Sequence, residues 1–370
     1  MEYYPLPAVF ISPYTLQVGE TTITSHTIVL CTGSKPGIPT IDGLEESGFL
    51  TSDTLLALDT LPESLAIIGG GNIAAEYGHF FAAMGSEVTI IGRNPQFLPD
   101  EEPEVSALAK RKLSEHLTIF TNHEAKHVEK TSAGDKKVII QDRKSKKRHE
   151  VKAAEILIAT GRDPNTDILQ PEKSGIKTEK GWISVNEYLE TSQPGIWALG
   201  DALGQFMFKH TANYEAEVVF SNAILRKNIR ADYPVVPRAV FTDPEIAAMG
   251  LREQEAVEKY GKNGILIGLH LYADTAKGLA MGAGDCFAKV IVERQNRRII
   301  GAHIIGPQAS VLIQEILDLM YTGNPTANLV AKSMHIHPAL SEVVQRAFTS
   351  LMDPEQYHHL MEDHYGLFFA

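Results

Sequence analysis

A short apolar run, Leu65 to Ile68, ends in three consecutive glycines, Gly69-Gly70-Gly71, and passes directly into the helix-patterned stretch Asn72-Ile73-Ala74-Ala75-Glu76. A buried strand, a turn needing backbone freedom and a helix start in immediate succession open a βαβ unit. Helical spacing puts Ile73, Tyr77, Phe80, Phe81 and Met84 on one face, which predicts that this face packs on the sheet. The run Val88 to Ile91 supplies the next strand. In such a loop Gly69 permits the tight turn, Gly71 lets the backbone approach a pyrophosphate, and the small Ala74 allows helix and strand to pack closely. The phosphates lie at the helix N-terminus, where free N–H groups and the helix dipole favour negative charge. A dinucleotide is the expected ligand.

The end of the second strand selects between the two nicotinamide cofactors. A carboxylate there grips the ribose of NAD, whereas a neutral residue beside an arginine accommodates the extra phosphate of NADP. Gly92-Arg93-Asn94 occupies that place, so Arg93 predicts a preference for NADPH over NADH.

Composition narrows the partners. The 370 residues carry a net charge of -12, with 44% hydrophobic and 22% charged residues, which suits two or three globular cores and argues against a nucleic-acid or anionic-membrane partner. The sequence contains neither an 18-residue apolar run nor a signal-peptide pattern at its start, so a cytoplasmic protein that does not enter the membrane is expected. The basic residues Arg143, Lys144, Lys146, Lys147 and Arg148 read as a solvated hairpin tip. Cys31 and Cys286 are too far apart in sequence to suggest a disulfide framework or a metal site, and both read as buried small hydrophobes.

A strand pattern, Thr27 to Cys31, ends in Thr32-Gly33-Ser34, and a similar one, Glu155 to Ala159, ends in Thr160-Gly161-Arg162. The two read as matching crossovers. A helix is expected from about Asp100 to His116, capped by Asp100 and favoured by Glu101, Glu102 and Glu104 near its positive end. Another covers roughly Thr211 to Leu225. Tyr233 to Pro237 reads as a linker into an α+β unit, with a strand at Phe287 to Glu293 and a helix at Ser310 to Tyr321.

Taken in order with Gly195-Ile196-Trp197-Ala198-Leu199-Gly200-Asp201 and His335-Ile336-His337-Pro338-Ala339-Leu340-Ser341-Glu342, these motifs resemble the pyridine nucleotide-disulfide oxidoreductases from about residue 8 to 352. This is the family of dihydrolipoamide dehydrogenase and of glutathione, mycothione and mercuric reductases. The resemblance implies an α/β fold: an incomplete FAD-binding domain with an inserted Rossmann-like NAD(P)-binding domain, plus a C-terminal α+β dimerisation domain. The expected segments are 1–53 and 163–235 for the flavin domain, 54–162 for the nicotinamide domain, 236–352 for dimerisation and 353–370 as an extension.

The same resemblance assigns roles. Thr32-Gly33 and Thr160-Gly161 mark the chain's passages between domains, with Gly161 and Arg162 among the cofactor-binding residues, Gly200-Asp201 holds the ribityl chain of FAD, and the helix after His210 points its N-terminus at the flavin ring. Glu76 lies near the nicotinamide, where family members pair it with a lysine from the N-terminal part of the flavin domain. Asn72 stands where glutathione reductase has a gating tyrosine. His337 and Glu342 match the acid-base pair that reaches across a homodimer interface to a small-molecule disulfide or dithiol substrate; Pro338 is expected to start the helix that returns Glu342 toward His337. This pair weighs against the mercuric reductases. His335 reads as a satisfied interface histidine.

The family also carries a glycine loop for the ADP half of FAD and a reactive Cys-x-x-x-x-Cys, and residues 1–26 contain neither. The expectation is an N-terminally truncated form, inactive alone, in which FAD binding is in doubt. The alternatives are a non-catalytic NAD(P)-binding dimerisation module, or one half of a split enzyme that joins a separate N-terminal polypeptide. The tail, with Tyr357, His358, His359, His364 and Tyr365, reads as an interface or surface helix rather than a metal site.

Overall fold

The computed structural model describes residues 1–365, with side chains described through Glu362. The chain divides into two compact units, one formed by Met1–Gly37 with Arg162–Val236 and the other by Ile38–Gly161 with Pro237–Ala370.

In the first unit, the strands Ala8–Ser12, Thr15–Val18 and Thr21–Thr24 form an antiparallel sheet. Ile28–Leu30 pairs in parallel with Ile196–Ala198, and Ser34–Pro36 pairs antiparallel with Arg162–Pro164. Phe10, Leu30, Ile176, Ile183 and Ile196 make its core. The first crossover strand is not wholly buried as its apolar run suggests: Val29 is 42% exposed, because alternate residues of a strand face opposite sides and only one side of this pair is covered here. Cys31, expected to be buried, is exposed for the same reason. The later helix runs over Lys209–Val219 and continues as one wide turn, Phe220–Ile224.

The second unit holds a parallel sheet in the order Glu155–Ile158, Ser64–Ile68, Glu87–Ile91, Thr118–Phe120. The helix after the glycine loop, Asn72–Ala83, packs on it with a different face from the one predicted. Ala74, Ala75, Gly78 and Phe81 are buried, while Phe80 and Met84 are 51% and 58% exposed. Close approach to the strands selects small residues: a Cβ on Gly78 would lie 2.7 Å from Ile90 Cδ1. An antiparallel sheet of His123–Lys130, Lys136–Asp142 and Arg148–Ala153 covers the other side, burying Val128, Val138, Ile140 and Val151 with Ile68 and Ile156. The basic run forms the exposed turn into its last strand.

The C-terminal part of this unit is a five-stranded antiparallel sheet in the order Arg238–Val240, Ile246–Gly250, Ile299–Ile305, Phe287–Glu293, Ile265–Leu271. The helices Ala309–Met320 and Ser341–Thr349 pack on it. The tail forms a helix, Pro354–Tyr365, at the surface, with Gln356, His358 and His359 exposed, and one face anchors it: Tyr357 and Met361 are 2% and 1% exposed, in one core with Val105, Leu108, Ile265 and Ile267. His364 lies outside the described side chains. No helix among the described residues is long and apolar enough to cross a membrane.

The helix expected from Asp100 begins instead at Pro103, and neither Asp100 nor any other described side chain caps it. Its acidic start serves a different purpose. Glu101 pairs with Arg238 at 2.8 Å, and the ammonium of the fully buried Lys289 contacts Glu102 at 3.3 Å, Glu253 at 2.8 Å and Glu104. Tyr357 of the tail donates its hydroxyl to Glu104. Burial alone raises the Glu104 carboxyl, but Lys289 outweighs it and holds this group below the usual carboxylate range.

Candidate functional site

The glycine loop is built to leave donors open. Gly69 has φ 145, and a Cβ there would lie 2.1 Å from the Ala159 carbonyl oxygen, so a side chain is excluded. A Cβ on Gly71 meets nothing within 4 Å. No side chain among the described residues caps the helix that follows, and the amides of Asn72 and Ile73 have no partner among them. An open approach, unpaired N–H groups and the helix dipole suit a pyrophosphate. Ala74 is buried against the strands. Gly70 packs against Gly92, since a Cβ on Gly70 would come within 3.1 Å of the Gly92 Cα, and Arg93 projects from the next position with its side chain exposed.

Glu76, one turn into the helix, is half-buried, and its Oε1 accepts the backbone N–H of Phe241 at 3.0 Å. The sequence offers no hint of that partner, which lies 165 residues away. It fixes one carboxylate oxygen and leaves the other to meet a second donor.

At the crossovers, Gly33, Gly161 and Gly200 all take positive φ, at 67, 124 and 69. Arg162 donates to the Ser34 carbonyl at 2.7 Å and lies 4.0 Å from Asp201, while the Ser34 hydroxyl donates to Asp201 Oδ2 at 2.7 Å. Asp201 Oδ1 is left to accept, and Thr32 and Thr211 carry buried hydroxyls with no partner among the described residues. A carboxylate acceptor and orphaned hydroxyls fit a polyhydroxyl chain such as the ribityl of FAD. Two residues of this region went unnoticed in the sequence: Glu215 accepts the Gly200 N–H at 2.6 Å and the Tyr233 hydroxyl at 2.8 Å, with its own carboxyl raised by burial.

Nδ1 of His337 lies 3.1 Å from both carboxylate oxygens of Glu342. Ala339 N–H and Arg346 Nη2 also donate to that carboxylate, at 3.2 and 3.3 Å. The bond from His337 holds Glu342 below the usual carboxylate range. Pro338 does not start the helix as expected. The His337-Pro338 peptide is cis and the helix begins at Ser341, so a turn rather than a helical turn returns the carboxylate. The Glu342 side chain is 8% exposed and that of His337 64%, which leaves Nε2 facing outward for proton exchange. His335 turns the other way, contacting Glu315 at 3.5 Å and the Ser333 carbonyl at 3.1 Å.

Carboxylate oxygens of Glu102, Glu104 and Glu253 lie within 4.8 Å of one another, a spacing that suits a metal ion, but the Lys289 ammonium already sits among them. Burial pushes the Cys286 thiol up to about 12, so it stays protonated and unreactive near neutral pH.

The profile of the pyridine nucleotide-disulphide oxidoreductases matches residues 8–216, and that of their dimerisation domain matches residues 236–348. Mycothione reductase of Mycobacterium tuberculosis is 37% identical over 333 residues, covering 89% of this chain and 71% of the relative. Dihydrolipoyl dehydrogenase of Synechocystis is 35% identical over 332 residues, covering 87% and 69%. Among solved structures, the HOCl-induced flavoprotein disulfide reductase RclA from Escherichia coli, as its Cu(II) complex, superposes with a TM-score of 0.84 at 27% identity, covering 92% of this chain and 77% of that one.

Proposed function

Because the chain belongs to the pyridine nucleotide-disulphide oxidoreductase family, whose members are FAD-dependent and use NAD(P)H, we propose that it serves the reduction of a small-molecule disulfide by NADPH. The observation that carries this reading is the His337–Glu342 pair, with one imidazole nitrogen fixed by the carboxylate and the other facing outward. Such a histidine accepts a proton from a thiol and returns it to a leaving thiolate. The Gly69–Gly71 loop and the amides of Asn72 and Ile73 hold the pyrophosphate of the nucleotide. Arg93 favours the phosphorylated ribose, and Glu76, anchored by Phe241, borders the nicotinamide. Thr32, Gly33, Gly161, Arg162, Gly200 and Asp201 hold FAD, which when bound passes reducing equivalents from nicotinamide toward sulfur. Two copies pair through the C-terminal sheet domain, so that His337 of each serves the dithiol site of the other.

A second reading is of a nicotinamide-binding dimer in which residues 1–370 do not themselves supply the dithiol. Cys31 and Cys286 lie in different units, one exposed and one buried, and nothing in the sequence has the Cys-x-x-x-x-Cys spacing. On this reading turnover requires a separate polypeptide that brings the dithiol.

The purified chain distinguishes the two. NADPH binding tighter than NADH, a dimer in solution and no disulfide turnover unaided support the second reading and the cofactor assignment. NADPH-driven reduction of mycothione, glutathione or lipoamide disulfide by the chain alone supports the first. Failure to bind either nucleotide overturns both.

A further inference from the structure

A cavity of about 420 Å³ opens beside the end of the strand Glu87–Ile91, with Asn122, Glu124, Lys126, Arg143, Lys144 and Lys146 among its lining residues. It is tied to the cofactor-selecting tripeptide atom by atom. The Gly92 carbonyl accepts the His123 N–H at 2.9 Å, the Asn94 carbonyl accepts the Asn122 N–H at 2.8 Å, and the Arg93 carbonyl accepts Arg143 Nη1 at 3.1 Å. Each carbonyl of Gly92-Arg93-Asn94 is thus bonded to residues 122, 123 or 143, and the cavity continues the strand end that meets the adenosine ribose in a βαβ dinucleotide fold.

Its charge is one-sided. Four cations line it against one carboxylate, and that carboxylate, Glu124, is bonded by Lys126 at 2.6 Å. The bond to Lys126 holds Glu124 below the usual carboxylate range, and both Arg143 and Arg93 add to the effect, so the two arginines stand within electrostatic reach of one point. Among the described residues Arg93 and Lys144 form no ion pair, and the Arg143 guanidinium bonds only a carbonyl. Asp142 is not among the lining residues: its Oδ1 accepts the amides of Lys144 and Ser145, which shapes the turn that carries Arg143, and its Oδ2 faces Asn122 at 3.4 Å. Lys147 belongs to the same turn but does not line the cavity.

We propose that Arg143 is a specificity-determining residue, joining Arg93 to receive the phosphate monoester on the adenosine ribose of NADPH, with Lys144 adding positive charge. The planar fork of each guanidinium suits a phosphate, and the bond from Arg143 to the Arg93 carbonyl holds the two residues side by side. This rests on the reading of the chain as NADPH-linked and adds to it a residue from a hairpin outside the βαβ unit.

Calorimetric titration with adenosine 2′,5′-bisphosphate and with 5′-AMP, which differ only in the ribose phosphate, tests it. The full chain is expected to prefer the bisphosphate. Arg143→Gln should weaken the bisphosphate about tenfold and 5′-AMP by less than about twofold, with Arg143→Lys in between. Lys147→Gln, which removes the same charge outside the cavity, should change neither, and circular dichroism confirms that each variant is folded. If the chain prefers the bisphosphate but Arg143→Gln behaves like Lys147→Gln, the proposal is wrong while the NADPH reading stands on Arg93. If the unaltered chain binds both ligands equally, the NADPH reading falls and takes the proposal with it. Inorganic phosphate binding as tightly as the bisphosphate would also overturn it, by revealing an anion site without nucleotide selectivity.

Discussion

The imidazole Nδ1 of His337 is equidistant, at 3.1 Å, from the two oxygens of Glu342. The hydrogen bond lowers the Glu342 carboxyl in the folded chain, so its contribution to stability is complete above the ordinary carboxylate range and is lost as pH falls through the lowered value. His337→Asn should therefore reduce Tm at pH 7 by an amount that vanishes in acid below the ordinary Glu range. The stability difference should not exceed about 1 kcal/mol, because His337 is largely exposed. Carboxyl-carbon NMR titration of Glu342 in the variant should show its midpoint moved upward; an unmoved midpoint shows that the pair is not formed in solution.

Two glycines two positions apart should respond in opposite ways. Gly69→Ala forces a methyl against the Ala159 carbonyl at a backbone angle that suits glycine, so it should lower Tm sharply, by several kcal/mol in stability. Gly71→Ala projects into open space and should leave Tm within a degree or two of the parent while weakening NADPH binding at least about tenfold. Equal effects of the two on Tm would refute the distinction.

Glu76→Ala removes the acceptor for the Phe241 amide and should cost about 1 kcal/mol, together with weaker nucleotide binding. Glu76→Gln keeps a carbonyl acceptor and should recover the stability. Recovery of nucleotide affinity as well would mean that the negative charge is not needed; binding by fluorescence and Tm by calorimetry separate the two roles.

Lys289 neutralises a buried group of carboxylates. Lys289→Met should destabilise the chain by about 3–5 kcal/mol at pH 7, because Glu102, Glu104 and Glu253 lose their common partner. The pH dependence should also reverse. In the parent, acid removes stability as Glu104 protonates through a lowered value, whereas in the variant burial is unopposed and acid relieves it. Tyr357→Phe should cost about 1–3 kcal/mol through the lost bond to Glu104. Urea unfolding across pH measures all three.

Local signals were well legible in the sequence. The Gly69–Gly71 loop between strand and helix, the crossover glycines and the His337–Glu342 spacing depend on neighbours a few residues away, and the structure forms each of these local features. What was not legible depends on distant residues. Glu101, Glu102 and Glu104 suit a helix dipole by position, yet their partners are Arg238 and Lys289, and no local rule connects them. The helix face failed for a related reason: large apolar residues mark the periodicity, but a helix pressed close to strands buries Ala74, Ala75 and Gly78 instead. Tyr357 reads only as part of an interface or surface helix, because its acceptor, Glu104, stands 253 residues earlier.

The first unit is assembled from two stretches separated by residues 38–161, and Ser34 and Asp201 stand 167 positions apart. At the pace of ribosomal synthesis, about 5–20 residues per second, the strand Ile28–Leu30 waits roughly 8–30 s for its partner Ile196–Ala198 to emerge. During that interval a nascent chain presents an unfinished β-edge while the βαβ segment behind it already has the residues to close, so this strand settles after segments that are synthesised later than it.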